Sequence, residues 1–203
     1  MDPKQQNALP PIYGLVLAGG KSSRMKTDKA AIRIGGVTQS ERIFNLLKPH
    51  CEQVFLSTRD ALADRPGHRD FPQIRDLSES TGPISGIVAA MDRFPEVAWL
   101  VAACDLPFLD EDTLRQLLRE RNPNQMATAF KSAHDGLPEP LCALYEPRSR
   151  AAIQAFIEQG IRCPRKMLIR SGIRLLDLGN PRALDNMNTP EDYEQAHAAL
   201  DHP

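Results

Sequence analysis

Short apolar runs that alternate with helical patterns constrain the fold of this chain more than any other feature of its sequence. Apolar runs at 12–17, 53–58 and 97–103 each stop at a turn residue or a polar side chain, as buried parallel strands do. Between them lie segments whose apolar residues recur at helical spacing and whose ends carry proline or Gly-Pro. Strands that alternate with helices indicate a mostly parallel sheet with helices on both faces.

The same patterns continue along the rest of the chain. The predicted strands are 12–17, 53–58, 73–76, 97–103, 126–130, 141–145 and 173–178. The predicted helices are 38–48, 84–94, 110–121, 148–159, 163–170 and 189–200. The chain has 203 residues, a length typical of one domain, and neither a repeat nor a linker interrupts the pattern. We therefore predict an α/β fold with a short flexible leader over 1–11 and a single three-layer domain over 12–203.

Charge and apolar content argue against several classes of protein. The chain has 25 basic and 26 acidic residues, so no overall charge attracts it to nucleic acid or to an anionic membrane. No apolar run approaches the roughly 18–20 residues of a transmembrane helix, and the first residues lack the apolar centre of a secretory signal. These features predict a cytoplasmic protein that binds neither nucleic acid nor membrane. The four cysteines form no CxxC pair and are expected to be free thiols, buried or half-buried, rather than zinc ligands.

A glycine-rich basic loop follows the first strand. Residues 17–29 read LAGGKSSRMKTDK. The phosphate-binding loop of ATPases, G-x-x-x-x-G-K-[ST], would need a glycine where Leu15 stands, and the dinucleotide fingerprint G-x-G-x-x-G is missing too. Adjacent glycines, two serine hydroxyls and four basic residues still favour a loop that binds phosphate over a solvated basic turn. The basic residues are Lys21, Arg24, Lys26 and Lys29.

Two aspartates lie at or just beyond the ends of later predicted strands. Asp105 comes soon after the strand at 97–103, and Asp76 ends the run at 73–76. In such sheets ligands bind beyond the C-terminal ends of the strands, so both carboxylates are expected beside the basic loop. Asp105 is then a natural Mg²⁺ ligand, the alternative being a cap on the turn that follows it. Asp76 is placed to accept hydrogen bonds from a base or ribose, or from an N–H group of its own turn.

Four motifs together resemble those of the molybdenum cofactor guanylyltransferases, in the nucleotidyltransferase superfamily. They are LAGGKSSRMKTDKA, TGPISGI, CDLPFL and DNMNTPEDY. The resemblance implies a Rossmann-like nucleotidyltransferase fold that transfers GMP from GTP to the terminal phosphate of molybdopterin, giving the guanine dinucleotide cofactor and pyrophosphate. GTP and molybdopterin (the molybdenum cofactor) are the implied substrates, and Mg²⁺ is the implied metal. Cofactor-inserting proteins and molybdoenzymes are candidate partners.

The resemblance also implies roles for individual residues. The implied nucleotide-binding residues are Leu17, Ala18, Gly19, Gly20, Lys29, Ser57, Asp76, Asp105, Asn186 and Asn188. Lys29 would contact the phosphates, Asp105 would hold Mg²⁺, and Arg24 would offset the charge where two polyanions meet. These three residues are the catalytic candidates. The nucleophile is itself an anionic phosphate, so the reaction needs no strong general base and the five histidines are expected to be non-catalytic.

Three positions depart from the family pattern. Lys26 stands where relatives carry glycine, Ser57 stands where an asparagine often contacts the nucleotide, and GGVTQS at 35–40 replaces a GKPLL-like turn. Two further segments allow more than one interpretation. The basic run at 162–170 faces either the molybdopterin phosphate, a partner protein or solvent, and residues 141–145 either wall the pterin site or belong to the core.

Alternative functions are a cytidylyltransferase on the same cofactor, a sugar-1-phosphate nucleotidyltransferase, and a degenerate nucleotide-binding module that acts through partners. Cytidylyltransferases of this kind tend to read LAAG where this chain reads LAGG, and the extra glycine leaves room for a purine. The short chain and the CDLPF motif argue against a sugar substrate. Lys29 and Asp105 favour an enzyme over the degenerate module.

Overall fold

Nine strands and six α-helices make up the described part of the chain, which covers residues 9–18, 32–34, 36–59, 68–76 and 82–201 of a computed structural model. The strands are β1 Ile12–Leu17, β2 Arg33–Ile34, β3 Val37–Thr38, β4 Gln53–Arg59, β5 Gln73–Asp76, β6 Ala98–Ala103, β7 Ala127–Lys131, β8 Pro138–Tyr145 and β9 Ile173–Leu176. The helices are α1 Gln39–Leu47, α2 Pro83–Arg93, α3 Glu111–Arg119, α4 Ser149–Glu158, α5 Pro164–Ile169 and α6 Pro190–Asp201, with a 3₁₀ turn at Lys48–His50. Within these residues, none of the helices combines the length and the apolar content that crossing a bilayer requires.

Seven strands form one sheet in the order β5-β4-β1-β6-β8-β7-β9. Strand β8 runs antiparallel to both of its neighbours, and every other pair in the sheet is parallel. This confirms the predicted α/β fold with a mostly parallel sheet. Strands β2 and β3 form a separate hairpin that the sequence did not predict.

Alternate residues of the central strands face two different cores. Val16 and Leu100 pack with residues of α1 and α3, whereas Leu15 and Val101 pack with residues of α2, α4 and α5. All four side chains are 0% exposed. Each such side chain stabilises the fold by about 1.5–3 kcal/mol through removal from water. Helices therefore cover both faces of the sheet, which confirms the predicted three layers.

The last helix, α6, packs on the β2–β3 hairpin. Their shared apolar cluster consists of Ile32, Ile34, Met187 and Ala196. The hydroxyl of Tyr193 donates to the carbonyl of Arg33 at 3.3 Å. Residues from the end of the chain therefore lie beside the segment that follows the glycine-rich loop.

Strand β8 begins at Pro138, three residues earlier than the predicted start at 141. Proline lacks the N–H group that a strand ladder needs, so Pro138 and Pro140 hid this part of the strand. The pairing of β8 with β6 stops at Ala102 and Cys142, and the earlier residues of β8 pair only with β7. Proline is tolerated on a strand side that has no ladder partner. Because β8 is antiparallel to β6, its residues before Cys142 project beyond the C-terminal end of β6.

Asp110 caps α3 and also contacts a later segment of the chain. Its Oδ1 accepts from the N–H of Thr113 at 2.8 Å, and its Oδ2 accepts from Nδ2 of Asn180 at 3.0 Å. Partial burial of the carboxyl group opposes its ionisation, but the hydrogen bonds from Thr113 and Asn180 together outweigh burial. They hold the pKa of Asp110 below its ordinary value.

We expect Asp110→Ala to lower the free energy of unfolding by about 1 kcal/mol at pH 7, the usual effect of losing an N-cap. A carboxyl group whose pKa is lower in the folded state stabilises the fold above its unfolded pKa of about 4. That contribution is lost as the pH falls through the folded pKa, so the difference between the two proteins should shrink in urea unfolding at pH 3. Asp112→Ala, at a carboxylate whose side chain is 95% exposed, is the control. An equal loss at both pH values would contradict a role for the ionised group.

Candidate nucleotide-binding site

Four parallel strands end side by side at one edge of the sheet. Leu17 at the end of β1 pairs with Ser57 of β4 on one side and with Ala103 of β6 on the other. Beyond β4, Arg59 pairs with Asp76, the last residue of β5. The structure therefore brings Leu17, Ser57 and Asp76 to the same edge, as the sequence predicted. Asp76 is 9% exposed and Ser57 is 5% exposed.

Residues 104–109, the Asp105 turn, continue this edge and are held from several sides. The N–H of Cys104 donates to the carbonyl of Leu17 at 3.2 Å, so the turn begins in register with β1. The N–H of Met187 donates to the carbonyl of Asp105 at 2.9 Å, which attaches a segment from near the end of the chain. The guanidinium of Arg42 donates to two further carbonyls of the turn. Asp105 itself is half-buried.

Asn186 and Asn188 flank Met187, which is 1% exposed, and both asparagines are exposed. The backbone at Asn188 is held by the cap of α6. Oδ2 of Asp192 accepts from the N–H groups of Asn188 and Thr189, both at 2.8 Å, and Oγ1 of Thr189 accepts from the N–H of Asp192 at 3.1 Å. These hydrogen bonds form the N-terminal cap of α6. Both asparagines line a cleft of about 490 Å³.

The side-chain oxygens of Asp105 and of the two asparagines are of the kind that Mg²⁺ prefers. The carboxylate of Asp105 and the amides of Asn186 and Asn188 lie on two segments joined by the hydrogen bond from Met187 to Asp105. Mg²⁺ prefers oxygen ligands and is commonly held by one or two carboxylates plus substrate phosphates. Across the part of the chain that the structure describes, no three His, Cys, Asp or Glu side chains gather into a metal cage. Waters or the phosphates of a substrate would therefore have to complete the coordination of a metal at this position.

A second cleft of about 370 Å³ adjoins the first. Both clefts are lined by Glu139, Arg165, Leu184 and Asn186. Residues 139–142 of β8 supply one wall of the second cleft. Residues 143–145 are buried in the core, which agrees with one of the two interpretations of the run at 141–145. The other interpretation, a wall of the pterin site, stays a prediction. Burial raises the pKa of the Cys142 thiol to about 12, which keeps it protonated at neutral pH.

Cys163 also lines the second cleft and is exposed. The expectation that all four thiols are at least half-buried is therefore wrong for this one. Cys163 precedes α5, whose buried face consists of Pro164, Met167 and Leu168, so its side chain lies outside the packed part of the helix. The other three cysteines are buried or half-buried free thiols, as predicted.

The basic run at 162–170 divides between the clefts and solvent. Arg165 forms ion pairs with Asp135 at 2.9 Å and with Glu139 at 2.8 Å, so its charge is balanced within the protein. Arg162 lines the second cleft and is exposed. The other two basic residues of the run are exposed. Arg162 is therefore better placed than Arg165 to meet an anion in the cleft.

Two glycines let α2 start close to the end of β4. Gly82 precedes the helix with φ of 138°, a conformation that only glycine adopts readily. A Cβ atom on Gly86 would lie 2.2 Å from Oγ of Ser57 and 3.3 Å from Cδ2 of Leu17. Ser57 is thus packed beneath α2, in the wall of a small cavity that Asp76 also lines. The predicted contact of Ser57 with the nucleotide remains a prediction.

We expect Gly86→Ala to lower the free energy of unfolding by about 1–2 kcal/mol. Overpacking against Ser57 should outweigh the roughly 1 kcal/mol by which a helix prefers alanine to glycine. Ser57→Ala in the same chain removes the clashing oxygen and should restore most of the loss. Urea unfolding of both single variants and the double variant gives the coupling energy between the two sites. A coupling energy near zero would show that the contact does not limit this position.

Several predicted site residues lie outside the described residues. They are Gly19, Gly20, Arg24 and Lys29, together with Lys26, which stands where relatives carry glycine. Their roles stay predictions from the sequence, as does the leader predicted over 1–11.

The sequence interpretation missed Arg42 and its neighbour Gln39. Gln39 and Ser40 lie one turn before Ile43 and Phe44 on α1, and all four side chains are buried. The available signal was that Gln39 and Ser40 precede Ile43 and Phe44 by four residues, which puts two polar side chains on the buried face of the helix. The departure at 35–40 from the GKPLL-like turn pointed to the same place.

Comparison with known proteins places this chain among nucleotidyltransferases. The family profile of the MobA-like NTP transferase domain matches residues 14–174. The chain is 35% identical over 193 residues to the molybdenum cofactor guanylyltransferase of Pseudomonas aeruginosa, a match that covers 91% of this chain and 94% of that one. It is 39% identical over 188 residues to the molybdenum cofactor biosynthesis bifunctional protein of Synechocystis, covering 91% of this chain. It spans about half of that longer relative, 53% of its length.

A solved structure agrees with these relatives. The molybdopterin-guanine dinucleotide biosynthesis protein A of Archaeoglobus fulgidus superposes with a TM-score of 0.77 at 28% identity. The superposition covers 94% of this chain and 100% of that one.

Proposed function

The chain belongs to the family of MobA-like NTP transferase domains, and we propose that it is a molybdenum cofactor guanylyltransferase. It would transfer GMP from GTP to the terminal phosphate of molybdopterin and release pyrophosphate. The observation that carries the proposal is the 35% identity to a relative of that name over nearly the whole of both chains. The fold supports it, because the ends of β5, β4, β1 and β6 place Asp76 and Asp105 along the edge from which the glycine-rich loop departs.

The proposed reaction exchanges one bond to phosphorus for another. A phosphate oxygen of molybdopterin attacks the α-phosphorus of GTP, the bond from that phosphorus to the bridging oxygen breaks, and its electron pair leaves on pyrophosphate. The difficulty lies in bringing two anions together. Two like unit charges ~4 Å apart repel by about 4 kcal/mol at an effective dielectric constant of 20. The main task of the site is therefore to supply positive charge and to hold both phosphates in line.

Residues along the strand edge would bind the nucleotide. Asp76, at the far end of the edge, would accept hydrogen bonds from the base or the ribose. Leu17 and Ala18 end β1 and would bring the backbone close to the nucleotide. Lys29 and Arg24 are proposed from the sequence to contact the phosphates, because these two basic residues of the loop occupy positions that the family motif also fills with lysine and arginine.

The Asp105 turn would hold the metal at the other end of this edge. Asp105, Asn186 and Asn188 are the proposed ligand residues, with the phosphates of GTP completing the coordination. When bound there, Mg²⁺ supplies positive charge to the phosphates and to the departing pyrophosphate. The backbone hydrogen bond from Met187 to Asp105 keeps the two ligand segments in contact.

Molybdopterin is proposed to enter the two adjoining clefts beside the Asp105 turn. Asn186 lines both clefts, so a molecule there would lie next to the proposed metal. Leu141 offers an apolar wall for a ring, and the exposed Arg162 can meet the phosphate of the substrate.

The experiment that tests the proposal is a transfer reaction with defined products. The protein is incubated with molybdopterin, molybdate, Mg²⁺ and either GTP or CTP, and mass spectrometry identifies the nucleotide attached to the pterin. We expect guanylate, and we expect a metal chelator to stop the transfer. Attachment of cytidylate in preference would overturn the guanylyl assignment. A protein that attaches neither nucleotide, yet is stabilised by one of them in thermal unfolding, would be a binding module; ligand at ~100 times its Kd adds about 2.7 kcal/mol.

A further inference from the structure

We infer that Arg42 is a positioning residue for the Asp105 turn and that Gln39 orients it. The inference rests on the proposed function, because it concerns how the proposed metal-binding carboxylate is held in place. Neither residue lies within the four motifs that resemble the family. The argument comes from the hydrogen bonds that one turn of α1 makes with two segments of the site.

The guanidinium of Arg42 holds the turn through its backbone. Nη1 donates to the carbonyl of Leu109 at 3.0 Å, and Nη2 donates to the carbonyl of Leu106. The N–H of Leu109 also donates to the carbonyl of Leu106 at 3.3 Å, so Arg42 closes a turn that starts immediately after Asp105. Leu106 and Leu109 are each 2% exposed. A planar guanidinium binds two such acceptors at once, whereas the ammonium group of lysine lacks this fork.

Arg42 carries its charge at neutral pH although it is largely buried. Burial lowers the pKa of Arg42 to about 10, which leaves the guanidinium protonated. Hydrogen bonds from a charged donor are stronger than those between neutral groups. Loss of the guanidinium would leave two buried carbonyls without this donor, and the turn would be free to shift.

Gln39 sets the direction of the Arg42 side chain. Its Oε1 accepts from Nε of Arg42 at 3.1 Å, and Gln39 is 0% exposed. Among the described residues, its Nε2 has no hydrogen-bond partner. A buried amide with an unmatched donor is unfavourable for stability and calls for an explanation. The amide is therefore held through its oxygen, which is the atom that meets Arg42.

The same helical turn also contacts the segment that follows the glycine-rich loop. The N–H of Gln39 donates to the carbonyl of Ile32 at 2.9 Å. One turn of α1 therefore sets the position of the Asp105 turn relative to Ile32, the first described residue after the predicted phosphate loop. Residues that orient metal ligands typically change metal affinity or activity 10- to 100-fold when they are replaced.

The test compares two arginines that are each held by several hydrogen bonds. Arg42→Lys keeps the positive charge but loses the fork. Arg121→Lys is the matched control, since Arg121 is 8% exposed and binds Glu146 through two nitrogens at the opposite edge of the sheet. We expect Arg42→Lys to raise the Kd for Mn²⁺, measured by electron paramagnetic resonance in the presence of GTP, about 10- to 100-fold. The Mg²⁺ concentration that half-saturates transfer should rise by a similar factor, with KM for GTP at saturating Mg²⁺ changed less than about 3-fold.

The control should change none of these quantities more than about 3-fold, although both variants lose stability. Amide hydrogen exchange at Cys104, Leu109 and Met187 should accelerate in Arg42→Lys and not in Arg121→Lys. Gln39→Met, which leaves Arg42 in place without its orienting partner, should raise the Kd for Mn²⁺ about 3- to 10-fold. This variant keeps the inference testable if Arg42→Lys does not fold.

The outcomes separate this inference from the proposed function. If the unchanged protein transfers no nucleotide, the proposed function fails, and Mn²⁺ binding still decides the role of Arg42. If the unchanged protein is active and the Arg42 and Gln39 variants bind Mn²⁺ as tightly as it does, the positioning role is overturned. Equal effects of Arg42→Lys and Arg121→Lys on Mn²⁺ binding would also overturn it, because a general loss of stability would then explain both.

Discussion

Asp105→Asn is expected to reduce nucleotide transfer at least about 10³-fold while the protein stays folded. Asparagine keeps the shape of the side chain but removes the negative charge that the proposed metal needs. A 10³-fold loss corresponds to about 4 kcal/mol of transition-state stabilisation. The fold should tolerate the change, because Cys104 and Met187 hold this turn through backbone groups and the Asp105 side chain is half-buried. The measurements are kcat at saturating GTP and urea unfolding, with a change in unfolding free energy of less than about 0.5 kcal/mol.

The control for this variant is Asp112→Asn on α3, where the carboxylate side chain is 95% exposed and lies outside the site. It should leave both kcat and stability unchanged. Substantial transfer by Asp105→Asn would exclude Asp105 from the metal site. A large loss of stability in the same variant would instead indicate a structural role for the carboxylate.

Arg121→Met is expected to lower the free energy of unfolding by about 3–5 kcal/mol. Arg121 and Glu146 form a two-point ion pair at 2.7 and 2.8 Å, with the side chains 8% and 1% exposed. Arg121 also donates to the carbonyl of Pro10 at 3.0 Å, just before β1. Removal of the arginine leaves a buried carboxylate without its counter-ion, and the desolvation of that charge is no longer offset.

Two further variants isolate the cause of this loss. Arg150→Met breaks an ion pair with Asp92 in which both side chains are 52% exposed, and it should cost less than about 1 kcal/mol. The double variant Arg121→Met/Glu146→Met removes both buried charges and should be more stable than Arg121→Met alone. Chemical unfolding at neutral pH measures all three. A double variant that is less stable than Arg121→Met would contradict an uncompensated charge as the cause.

The strands and long helices were predictable because the spacing of their apolar residues follows from which side chains are buried. All six residues of β6 are buried, so the strand reads as one apolar run. The β2–β3 hairpin has only two residues in each strand, too few to show a period, and α6 packs on it from the other end of the sequence. The first part of β8 was hidden by prolines that only the local absence of a ladder partner permits.

The position of the candidate site was predictable for a related reason. Parallel strands end at one edge, so residues near the ends of several strands must lie along that edge, and Ser57, Asp76 and Asp105 do. The supports of the site were not predictable in this way. The bond from Met187 to Asp105 joins backbone groups of segments far apart in the sequence, and backbone groups are the same in every residue. Arg42 likewise acts on carbonyls, so no partner side chain marks it.

Because Met187 comes late in the sequence, its hydrogen bond to Asp105 can form only late during synthesis of the chain. The last strand of the sheet ends at Leu176, whereas Met187 and both asparagines come after it. A growing chain therefore has every strand of its sheet before it has the segment that completes the proposed metal site.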